Sequence, residues 1–107
     1  MLTSEVLAQL EGLENKSIPV IVDDPQCDER MPLTAVLHEP PRMFFSTETG
    51  PQPYTAQRLI DRLEKLDGGV PFDAEVAYGD DWNFQVVEDL GVYDGVLIVK
   101  FSAPVMD

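Results

Sequence analysis

The chain is poor in most of the residues that carry chemistry on their own. Among its 107 residues Cys27 is the one cysteine. That excludes an internal disulfide and a thiolate metal cage, and points to a reducing compartment. His38, the one histidine, stands eleven residues from Cys27, too far for a tight ligand pair and across an expected strand. Ser17, Ser46 and Ser102 sit in no nucleophile motif, and no glycine-rich oxyanion turn accompanies them. Gly68-Gly69 lacks the lysine and hydroxyl of a phosphate loop. The longest apolar run, Val96-Leu97-Ile98-Val99, is far short of the roughly 20 residues that span a bilayer. The first residues, Met1-Leu2-Thr3-Ser4-Glu5, have neither the charge nor the apolar stretch of a secretory signal. These absences lead us to expect a cytoplasmic non-enzyme with no catalytic residues, no metal and no cofactor.

Positive charge is scarce too, and here the shortage says something constructive. Seven basic residues face twenty acidic ones, a net charge of −13. Nine acids lie in residues 1–53 and eleven in 54–107, so the charge belongs to the whole surface and not to an acidic tail. Such a surface repels nucleic acid and anionic lipid and attracts basic protein surfaces. Solubility alone also accounts for it.

What the chain does have is a plan that reads as written twice, with a period of about 52–56 residues. Pseudo-repeat 1 spans 2–47 and pseudo-repeat 2 spans 54–101, in a single domain covering 1–107. In the first, Thr3 or Ser4 is an expected N-cap. Leu2, Val6, Leu10 and Leu13 recur at helical spacing, with Leu7 widening the stripe, and Gly12, Asn15 and Lys16 close the helix. Ile18 to Val22 reads as a buried strand, 23–32 as an exposed loop, 33–39 and 42–47 as two more strands. In the second, Thr55 caps a helix with Ala56, Leu59, Ile60, Leu63 and Leu66 as its stripe. Gly68-Gly69 is expected to stop it in the left-handed conformation. Strands follow at 74–78, 83–88 and 95–101, with Asp94-Gly95 as a hairpin turn. The expected fold is α+β: two tandem helix-plus-three-strand units merged into one domain, a mostly antiparallel sheet with two helices on one face.

Thr55, Leu59-Ile60, Leu63 and Leu66, then Val70-Pro71-Phe72-Asp73-Ala74, then a strand from Val76 into Asp80-Asp81, form a pattern. It resembles a class of small phage and bacterial accessory proteins built on a helix, a turn of the type Pro-x-Asp-Ala and a strand entering an acidic loop. The resemblance covers 54–101, and 2–47 more loosely, without the Gly-Gly and Asp-Ala elements. It implies an accessory protein of a phage or mobile element and transfers no catalytic residue.

Candidate binding residues cluster in the acidic segments. Asp23, Asp24, Asp28 and Glu29 surround Cys27, but Pro25 interrupts them and no calcium-loop spacing is present. Asp80-Asp81-Trp82 repeats the acidic pair and adds the one tryptophan. Its indole either anchors a basic partner or packs over a core edge. Met43-Phe44-Phe45 sends neighbouring rings to opposite faces of a strand. One ring enters the core. The other, for which we take Phe45, needs cover from the second repeat, a partner or a dimer mate.

The expected function is a non-enzymatic acidic binding protein. In its sharp form it is a phage-type inhibitor whose carboxylates mimic nucleic-acid phosphates and engage a basic nucleic-acid-binding protein. The alternative is an assembly protein acting as a homodimer or larger self-associate.

Overall fold

The computed structural model describes residues 1–24, 29–39, 41–48, 52–69, 72–79, 83–103 and 105–106. Helix α1 (Thr3–Glu11) buries Thr3, Val6 and Leu10. Its start is not capped by its own hydroxyls, as the sequence suggested. Thr3 Oγ1 donates to Ala74 O at 2.6 Å, and the free amide of Ser4 donates to Asp73 Oδ1 at 3.0 Å, with Ser4 Oγ on the other carboxylate oxygen. Glu5 accepts from Leu2 N at 2.9 Å. Asp73-Ala74 thus docks a helix roughly 70 residues earlier in the chain, a carboxylate meeting the positive helix end. We expect Asp73→Ala to cost about 1–2 kcal/mol of stability, read as a lower urea midpoint, and Asp73→Asn to recover most of it. An unchanged midpoint for Asp73→Ala would show that the carboxylate caps nothing.

Helix α2 (Ala56–Asp67) follows the expected design closely. Thr55 Oγ1 accepts from Arg58 N at 3.2 Å, and Ala56, Leu59, Ile60 and Leu63 are buried. Its end differs from expectation. Gly68 has φ −62°, so no left-handed glycine is needed, and its amide continues the ladder to Glu64 O.

Among the described residues eight strands complete the fold: β1 (Val20–Asp24), β2 (Glu29–Pro32), β3 (Ala35–Glu39), β4 (Arg42–Ser46), β5 (Glu75–Gly79), β6 (Asn83–Tyr93), β7 (Val96–Phe101) and β8 (Val105–Met106). The sheet order is β2-β1-β7-β6-β5-β4-β3, with β8 beside β6. It is a mixed sheet, because β1/β7 and β4/β5 pair in parallel. The second parallel pair follows from α2, which carries the chain from the end of β4 back to the start of β5. Residues 29–32, expected in a loop, are a strand on β1. Strands of the first half sit at both ends of the sheet, flanking β5, β6 and β7 of the second. The Asp94-Gly95 turn is as expected, with φ of 51° and 79°.

The sheet is curled. Leu33 N donates to Val20 O on β1 at 3.0 Å, and the next amide, Thr34 N, donates to Ser46 O on β4 at 2.9 Å. Two adjacent residues therefore join opposite ends of the strand order. Leu33 O also accepts from Tyr54 N at 2.7 Å. Both helices contribute to the core inside the curl, where Val6, Leu10, Leu59 and Leu63 share one cluster with Val22, Phe45, Val76, Val99 and Phe101. Arg62 on α2 caps β3 by donating twice to Val36 O, at 3.1 and 3.2 Å, which blunts that edge. No helix of the described residues is long and apolar enough to cross a membrane.

Candidate partner-binding surface

The acidic pair Asp23-Asp24 is split by strand geometry. Val20 and Val22 of β1 point into the core, so Asp24 shares their side and Asp23 takes the outer face. Asp23 stands in a row across four strands, Arg30–Asp23–Lys100–Asp89, in which charge alternates in sign. Arg30 Nε lies 3.8 Å from Asp23 Oδ2, with the arginine side chain 64% exposed, so the pair contributes register more than stability. Asp24 instead accepts from Gln85 Nε2 at 3.3 Å. Glu29 faces Asp24 in backbone register. The two adjacent acids therefore do not form one patch.

The candidates Asp28, Asp80, Asp81 and Trp82, and Cys27, lie outside the described residues. Phe45, expected to need cover from outside, is instead 2% exposed and meets Phe101 edge-on at 6.1 Å between ring centroids. It is a core residue. Phe44 is the outward ring, and it is covered as well, by Ala77 and Phe84. Among the described residues no group of three or more metal-ligating side chains is assembled.

β1, β4, β5 and β7 run in one direction, so Asp24, Ser46, Gly79 and Phe101 end on one rim of the curl. Just inside it, Thr47 Oγ1 and Tyr78 OH are 3.2 Å apart, and Tyr78 leans on Phe101 at 5.3 Å. Gln85, opposite Tyr78 in register, is 3% exposed. Its Oε1 is buried without a hydrogen-bond partner among the described residues.

The electrostatics are decided by where the cations go. Arg42 lays its guanidinium over the Phe84 ring at 3.8 Å, and Arg58 over Tyr54 at 4.4 Å. Arg62 is spent on Val36 O, and Lys16 donates to Leu13 O at 2.9 Å. Asp61 takes its hydrogen bond from Gln57, not from a neighbouring cation. Among the described residues Arg30–Asp23 is the one ion pair. Across a surface of 5989 Å² the chain carries an excess of 13 negative charges, and among the described residues only Arg30 of its cations is ion-paired.

The outer face of the sheet has two characters. Around β1 and β7 it carries the alternating charge row. Around β3, β4, β5 and β6 it carries an apolar row, Leu37–Phe44–Ala77–Val86, with partners directly opposite one another. The sequence held the signal for this row: Val36-Leu37 and Phe44-Phe45 are adjacent apolar pairs on partner strands, which makes both faces apolar. Periodicity alone did not reveal that the helices cover only the inner one.

No family model, curated protein or solved structure matches the chain.

Proposed function

We propose that this is a small acidic binding protein, without catalytic activity of its own, that engages a basic protein surface. The observation that carries the reading is the disposition of the cations. Of seven basic side chains, Arg42, Arg58, Arg62 and Lys16 are turned to rings or backbone carbonyls and not to carboxylates. Uncompensated surface charge accelerates encounter with an oppositely charged partner and selects against like-charged ones. In its specific form the partner is a nucleic-acid-binding protein and the carboxylates substitute for phosphates. A cytoplasmic accessory role in a phage or mobile element, and descent from a duplicated helix-and-strands unit, belong to the same proposal.

The test is a tagged capture from lysate with a salt gradient and a duplex-DNA competitor. Basic nucleic-acid-binding proteins should be held at about 50 mM salt and released by about 300 mM, or by DNA at constant salt. Retention indifferent to both would contradict the proposal. Recovery of the chain alone would favour self-association, for which exposed Val92 and Tyr93 at the β6–β7 hairpin and Leu37 on β3 offer apolar surface.

A further inference from the structure

We infer that the partner is gripped at one place, a groove on the outer face of β3 and β4, and that its occupant is an extended segment carrying an apolar side chain between two cations. The inference rests on the reading of the protein as a binder of basic partners and specifies where and what it binds. The groove has a volume of about 340 Å³; its walls include Leu37, Phe44, Glu39 and Glu48, and it reaches over the rim to Thr47 and Tyr78. Leu37 is 43% exposed, while Phe44 beside it is 5% exposed. Leu37 is therefore the exposed apolar contact of a groove whose lining is otherwise largely polar. Both helices pack on the opposite face of the sheet, so neither covers this one.

Charge selects the occupant. Glu39 ends β3 and stands opposite Arg42 in register. Arg42 is nevertheless laid over Phe84, and Glu39 forms no ion pair among the described residues. Glu48 lies just past the other end of β4. Both glutamates are exposed. Strand rise puts them on the order of 15–20 Å apart along the groove. That span suits cations five or six residues apart on an extended chain, with an apolar side chain between them seated on Leu37. A second copy is a poor occupant, since it would bring its own Glu39 and Glu48, and a further 13 negative charges, against the same face.

Two fluorescent peptides of about ten residues separate the outcomes. One carries lysines at both ends around a leucine–valine centre; the other is all lysine. The mixed peptide should bind at least about tenfold more tightly to the wild type. Leu37→Asp should remove that advantage and leave oligolysine binding within about twofold, whereas Glu39→Gln with Glu48→Gln should weaken both peptides, the mixed one more. Circular dichroism and the urea midpoint establish that each variant is folded. Equal binding of the two peptides, or an advantage that survives Leu37→Asp, would overturn the groove while leaving a diffuse electrostatic binder. Failure of both peptides to bind at low salt would overturn the broader reading with it. Sedimentation showing a wild-type dimer that Leu37→Asp dissolves would make a second copy the occupant and overturn the cationic one.

Discussion

Phe45→Asp unfolds the protein. Read from sequence, this substitution would dissolve an oligomer, because Phe45 was the ring expected outside. In the fold Phe45 is 2% exposed, lies opposite Val36 and Tyr78 on the flanking strands, and meets Phe101 edge-on. Removing a buried phenylalanine costs about 3–5 kcal/mol, and burying a carboxylate without a partner adds several more. A domain of this size has roughly 5–15 kcal/mol of total stability. The expected result is loss of the cooperative urea transition and of near-ultraviolet circular dichroism. Phe45→Leu should keep a cooperative transition at a lower midpoint. A folded, monomeric Phe45→Asp with wild-type stability would contradict the placement of this ring in the core.

The second large effect is at the clasp of the sheet. Leu33 is fully buried. Its amide holds β1 through Val20 O and its carbonyl takes Tyr54 N. Leu33→Pro removes the donor, fixes φ and leaves a smaller side chain in a packed site. Leu33→Ala, which keeps the amide, is expected to cost about 2–4 kcal/mol. Proline should cost at least about 2 kcal/mol beyond that, since Val20 O loses its partner in a buried setting. Hydrogen exchange then distinguishes the two. Leu33→Pro should lose protection in β2 and β3, at the ends of the strand order, before β6 and β7 at its centre. Uniform loss across all strands would mean that the clasp has no special part in holding the curl.

What was legible in the sequence was what depends on near neighbours. The apolar stripe of α2, the Thr55 cap and the Asp94-Gly95 turn are each set within a few residues, and they formed where expected. β2 was missed because Glu29–Pro32 has no apolar alternation; it is a strand through its pairing with β1. The parallel pairings were missed for a related reason: nothing local says that β1 will lie beside β7, some 75 residues later. Thr3 looked like a cap because hydroxyls at helix starts usually serve that way, yet it is tied to Ala74 across the fold. The same limit governs the candidate surface. Acid content could be read directly, but the diversion of Arg42 onto Phe84 and the two-faced apolar rows of β3 and β4 exist only once those strands are paired.

The proposed engagement of a basic protein surface by this chain's carboxylates is tested most directly by calorimetric titration of a purified captured partner at a series of salt concentrations. The expected result is an association constant that falls on a straight log–log line, by at least about tenfold between 50 and 200 mM salt. An association constant that stays level across that range would contradict it.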